Sequence, residues 1–154
     1  MTNRITFNRQ MLKFLENQPE ELKSKFKVPS SVEFDNSVAG RSVETRVAAY
    51  EDQAKACGLV YPVLLKIQTG QKTTYAHTFY CVHTTAGMKE ALDFVGFADT
   101  KLLIQAYLPH KERVYKIYGI GPWFRAPVRR SVPDILMRSK EAVKFDSQIK
   151  WTPE

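Results

Sequence analysis

The run from Leu102 to Asp134 constrains the fold of this chain most, because it sets alternating apolar stretches beside cations that a plain sheet does not need. Leu102–Ala106 reads as an apolar strand and Lys111–Glu112 as a polar turn. Val114–Gly119 then reads as a second strand, in which Val114, Lys116 and Tyr118 share one face by period two. A third strand is expected from about Trp123 to Val128. Should Lys116 and Arg129 fall on the same side of this meander, they make a cationic surface suited to polyphosphate. An exposed Lys and Arg on the solvated face of an antiparallel sheet account for the same spacing.

Upstream, a helix from about Phe7 to Asn17 crowds Met11, Leu12, Phe14 and Leu15 onto its packing side, with Pro19 just after it. Lys25–Phe34 contains Pro29 and two serines and reads as an extended connector. Ser42 and Thr45 offer N-cap oxygens for a second helix through Cys57, and Gly58 is placed to be its left-handed terminator. Val60–Ile67 is a nearly continuous apolar strand, Thr69–Thr74 a turn and Phe79–Val82 another strand. Thr84 or Thr85 then caps a helix carrying Met88, Ala91, Leu92 and Val95. After Pro133 one more short helix is expected, Ile135–Val143. This order predicts an α/β chain of the α+β kind, a mixed or antiparallel sheet with helices packed on one face. Residues 1–134 form its main region and 135–154 a short tail.

With 154 residues, 44% of them hydrophobic and 25% charged, the chain can bury one core. No apolar run approaches the length of a membrane span, and the first residues lack the basic-then-apolar order of a signal peptide. A cytoplasmic location without a membrane partner is the expectation. The net charge of +7 draws polyanions without naming one, and it is spread from Lys13 to Lys144 and not gathered in a basic tail. No helix-turn-helix, RNA-recognition or zinc-finger pattern is present, which sets nucleic acid aside as the expected partner. Cys57 and Cys81 lack CxxC spacing and the His partners of a zinc site, so they read as reduced structural thiols and no metal ligands are nominated. The absence of a GxxxxGK[ST] loop and of an HRD–DFG pair argues against a P-loop or protein-kinase fold.

Several identities resemble the inositol 1,3,4-trisphosphate 5/6-kinase family, also called inositol-tetrakisphosphate 1-kinase, whose members carry an ATP-grasp fold. They are Gln105 on a strand, Tyr107 and His110 after it, the Tyr115–Lys116 pair, and then Gly121, Arg129, Ser131, Pro133 and Asp134 at family-like spacing. Upstream, YPVLLK ends in Lys66, His77 lies where some members place a Ser-His pair, and Asn3–Arg4 is similar to the family's entry to its central domain. The resemblance covers Asn3 to Asp134 and only the middle of the family's fold, with the C-terminal lobe truncated.

The resemblance implies roles. Lys66 is expected on the ATP phosphates, and Gln105, Ala106, Tyr107 and Leu108 along the adenine. Arg4, Lys116 and Ser131 complete the nucleotide site, Arg129 is a neighbouring phosphate contact, and His77 with Lys116 meets the inositol phosphate. Read singly, Lys66 is a snorkelling strand-end lysine and His77 a satisfied structural histidine. The Thr69–Thr74 turn corresponds to the loop that closes over ATP, with Lys72 where relatives usually have glycine. The family's Mg²⁺ carboxylates lie beyond the Arg-Ser-Pro-Asp region, and no metal ligand and no catalytic residue is assigned in this chain. Two functions follow as expectations: an ATP-dependent inositol polyphosphate kinase in fragment or shortened form, or a non-catalytic nucleotide or inositol-phosphate binding module. An apolar face uncovered by the missing lobe predicts self-association.

Overall fold

Every second residue of Val63–Ile67 is buried against one side, Val63, Leu65 and Ile67, while Leu64 and Lys66 turn the other way and are half-buried. This alternation is the signature of a strand covered by a layer on one face and by something more open on the other. The computed structural model describes residues 4–37, 42–68, 74–131 and 141–147. In chain order these form α1 (Arg4–Glu16), α2 (Glu20–Lys25), β1 (Ser31–Asp35), α3 (Val43–Ala56), β2 (Val63–Ile67), β3 (Thr78–Val82) and α4 (Thr85–Asp93). A 3₁₀ turn, Val95–Phe97, follows, and then β4 (Lys101–Ala106), β5 (Arg113–Tyr115), β6 (Tyr118–Ile120), β7 (Trp123–Arg125), β8 (Val128–Arg130) and β9 (Ala142–Asp146).

The fold is α+β. Five strands form one antiparallel sheet in the order β1-β4-β2-β3-β9. Its register sets Leu65 opposite Ile104 on one side and opposite Tyr80 on the other. Those residues share a face with Val63, Val82 and Leu102, and that face packs with Val47 and Tyr50 of α3 and Met88, Ala91 and Leu92 of α4 into the main core. Phe94, Phe97 and Tyr80 close one end of the core as an edge-on aromatic group, with ring centroids 5.4–5.6 Å apart.

Local chemistry sets the helix ends. The Ser42 hydroxyl accepts the Thr45 N–H at the start of α3, and the Thr84 hydroxyl accepts the Gly87 N–H at the start of α4. Gly58 terminates α3 in the left-handed region, φ +66°. Gly87 also permits a close approach. A methyl group there would overlap the backbone carbonyl of Glu141, so α4 and the start of β9 meet only because this position has no side chain. Between α3 and the loop after α4, buried Asn36 donates to the carbonyls of Leu92 and Phe97, 3.1 and 2.8 Å, and accepts from Arg46 at 2.9 Å.

Several expectations are corrected. Lys25–Phe34 is not a connector throughout, because β1 begins at Ser31 and pairs with β4. In α1, Met11 and Leu15 are half-buried one turn apart, but Leu12 and Phe14 project from other parts of the helix and stay exposed. Val95 lies outside α4, in the exposed part of the 3₁₀ turn. The last residues of the expected Ile135–Val143 helix, Ala142 and Val143, are strand and pair with Val82 and Cys81. Residues 135–140 of that segment and the Thr69–Thr73 stretch lie outside the described residues.

The two strands expected at Val114–Gly119 and Trp123–Val128 are each split, giving β5 with β8 and β6 with β7 as two short antiparallel ladders. Pro127 explains the interruption: its carbonyl accepts the Lys116 N–H at 3.1 Å, but it has no N–H to return. The register is the same on both sides of the break, from Arg113 opposite Arg130 to Ile120 opposite Trp123. A two-residue Gly121–Pro122 turn, with Gly121 at φ +57°, closes the ribbon.

Candidate functional site

On the sheet face turned away from α3 and α4, period two brings Leu64 and Lys66 of β2, Phe79 and Cys81 of β3, Gln105 of β4 and Phe145 of β9 side by side. Phe79 and Phe145 stack at 5.5 Å with their planes 14° apart. Leu64, Tyr107, Val143 and Phe145 pack around the buried Cys81. Burial alone pushes the Cys81 thiol up to about 12, so it sits in this floor as a neutral group. The same face therefore offers an apolar shelf beside one lysine.

A cleft of about 910 Å³ opens over that shelf, a size suited to a small ligand. Lys66, Gln105, Ala106, Tyr107, Leu108 and Ser131 all line it, although they come from three separate stretches of chain. The Lys66 ammonium donates to the Gln105 side-chain amide oxygen Oε1 at 2.7 Å, which fixes both groups on adjacent strands. The strand backbone is partly committed: Ala106 N–H donates to Ser30 and Tyr107 N–H to the carbonyl of Pro62, 2.8 and 3.0 Å. Beyond Leu108 the chain turns into the ribbon.

That turn is unusual. Lys111 and Glu112 both have positive φ, 51° and 60°, and Arg113 N–H closes onto the His110 carbonyl at 3.1 Å. Left-handed geometry at two successive non-glycine residues is rare and costs free energy, and such outliers gather at functional sites. The turn brings His110 to Ser131, with imidazole Nε2 2.6 Å from the hydroxyl, and Nδ1 3.0 Å from the Leu108 carbonyl. A carbonyl only accepts, so Nδ1 carries the proton and, in the neutral ring, Nε2 accepts from Ser131. Ser131 N–H in turn donates to Glu112 at 2.8 Å, tying the end of β8 to the turn.

Three cations line the cleft, Lys27, Lys66 and Arg113, and no carboxylate lines it among the described residues. The cleft therefore favours an anionic ligand with an apolar, stackable part. No group of three or more His, Cys, Asp or Glu that could hold a metal ion occurs among the described residues.

The remaining candidates lie elsewhere. Lys116 and Arg129 share one face of the ribbon, because Arg129 is directly opposite Val114 and Lys116 follows two residues on. Neither lines the cleft. His77 is exposed in the turn before β3, and its carbonyl accepts the N–H of Ser147, which does line the cleft, at 3.0 Å. Arg4 opens α1, and its side chain is outside the described residues. Lys27, Arg113, His110 and the Phe79–Phe145 pair were not assigned roles from the sequence. The alternation of Phe79 with Cys81 along β3 was a readable signal for the shelf, whereas Lys27 and Arg113 look like any surface cation.

Set against known proteins, the chain matches no family model and no curated protein.

Proposed function

We propose that the cleft binds ATP and that the chain is part of an ATP-dependent inositol polyphosphate kinase of the ATP-grasp kind. The observation that carries this reading is the convergence of Lys66, Gln105–Leu108 and Ser131, six of the eight residues assigned to the nucleotide by resemblance, on one cleft. Adenine lies on the apolar shelf, and because the N–H groups of Ala106 and Tyr107 are engaged, its edge is met by the backbone at Leu108. Lys66, held by Gln105, neutralises phosphate oxygens, with Arg113 and Lys27 as further cations. In the reaction the bond from the γ-phosphorus to the ADP oxygen breaks and one to an inositol-phosphate hydroxyl oxygen forms, with that hydroxyl's proton released. Mg²⁺ would neutralise the polyphosphate when bound, and no carboxylate among the described residues lines the cleft.

A second reading is favoured by that same absence of described carboxylates in the cleft: a binding module that holds nucleotide or inositol phosphate without transferring phosphate. Calorimetric titration with ATP plus Mg²⁺, and separately with inositol tetrakisphosphate, tests both. Lys66→Ala is expected to weaken ATP binding by about tenfold or more, since a hydrogen bond to a charged group is worth about 1.5–3 kcal/mol. Lys116→Ala is expected to weaken inositol phosphate selectively. Binding of neither ligand by the folded chain defeats both readings, and binding without turnover of inositol phosphate selects the second.

A further inference from the structure

Every residue from Lys111 to Arg130 is exposed. Eight of them are large and apolar, and Ile120, Trp123 and Phe124 at the tip are 84%, 80% and 73% accessible. A two-stranded ribbon with both faces in water is marginal on its own, and a contiguous apolar surface of this kind usually meets something. Its charge says what. Between Arg113 and Arg130 there are five cations and no acidic residue. A second copy would set five cations against five, so the complementary occupant is anionic.

The distribution along the ribbon narrows this further. Gly119–Phe124 is uncharged, and the two residue pairs behind the turn, Ile120 with Trp123 and Gly119 with Phe124, extend about 7 Å at ~3.4 Å per residue. Interfacial segments sink about 5–10 Å into a bilayer. The next pair, Tyr118 with Arg125, supplies an aromatic ring and a guanidinium at the level where such groups gather in membrane interfaces. Lys116, Arg129, Arg130 and Arg113 follow toward the base. The rings are split between the two faces, Tyr118 and Trp123 on one and Tyr115 and Phe124 on the other. A strand of nucleic acid stacks on one platform, whereas lipid surrounds a tip from all sides.

We propose that this ribbon docks the protein on an anionic lipid surface, with Ile120, Trp123 and Phe124 in the interface and Arg125 and Lys116 against the headgroups. No helix among the described residues is long and apolar enough to cross a membrane, and shallow docking needs none. The unpaired edges of a two-stranded ribbon restrict it to that depth, because hydrocarbon cannot satisfy them. The inference is independent of what the cleft binds.

The test uses the full chain carrying Trp151→Phe, which leaves Trp123 as its one tryptophan. It is mixed with phosphatidylcholine vesicles made with or without phosphatidylserine, and co-sedimentation and Trp123 emission are read. Expected are binding and a blue shift with phosphatidylserine, weakened by added salt and reduced roughly tenfold or more by Arg125→Glu. Ile120→Asp, also at an exposed position, abolishes the blue shift while both variants keep the parent's melting transition. The proposal is overturned by no binding to the anionic vesicles, or by binding that Ile120→Asp leaves intact. It is equally overturned if, with no vesicle binding, the ribbon residues instead carry single-stranded RNA binding or self-association in sedimentation.

Discussion

The main sheet and the ribbon are made of similar residues in similar alternation, yet they end in opposite surroundings. Leu65, Ile104 and Phe97 are fully buried, whereas Ile120, Trp123 and Phe124 stand in solvent. The difference is a second layer. Strands β2, β3 and β4 have α3 and α4 packed over one face, while every residue of β5–β8 is exposed. Strand-like alternation therefore specifies conformation in both regions but burial in only one. Stability follows burial.

The sharpest way to break this contrast is a pair of equal truncations. Leu65→Ala should cost about 2–5 kcal/mol in denaturant unfolding, as large-to-small changes in packed cores do. Ile120→Ala should stay within about 0.5 kcal/mol, the range of ordinary surface changes. Equal losses would mean that the ribbon is part of the cooperative core. A smaller effect, about 1–3 kcal/mol as for other overpacked sites, is expected for Gly87→Ala, because its methyl must push the Glu141 carbonyl and β9 away from α4. Hydrogen exchange should then quicken at the β3–β9 pairs and leave the β5–β8 pairs unchanged. Smallest is a pH effect at His83, whose pKa burial holds below its ordinary 6.5. Unfolding frees the ring to bind a proton, so its full contribution is present above pH 6.5 and is lost as pH falls through the lowered folded value. Melting temperatures followed across that window should slope less in His83→Gln, and an unchanged slope would assign the dependence to other groups.

What the sequence made legible was largely local. Ser42, Thr84 and Gly58 announce helix ends by the chemistry of the cap itself, and the structure places all three there. β1 and β9 were missed because their partners are remote: Ser31–Asp35 pairs with β4, and Ala142–Asp146, partly read as helix, pairs with β3. Pairing energy of that kind leaves no mark within a short window. The candidate site divides in the same way. Lys66, Gln105–Leu108 and Ser131 could be named by resemblance, and the Lys116–Arg129 face by period two. Arg113 enters the cleft only through the turn from β4 into the ribbon, and Lys27 only through the stretch leading into β1, which pairs with β4. The left-handed Lys111–Glu112 pair, which makes that turn, has no glycine or asparagine to advertise it.

The position of β9 has a consequence for synthesis. β3 pairs with β2, its nearest strand in sequence, along one edge, but its other edge is matched by residues 142–146, which leave the ribosome after the whole ribbon has emerged. Until then the nascent sheet carries an open strand of apolar character beside Tyr80 and Cys81, the kind of edge that chaperones cover and aggregates recruit. Among the described strands β9 is the last to be translated, and on arrival it takes the place of β3 at the edge of the sheet.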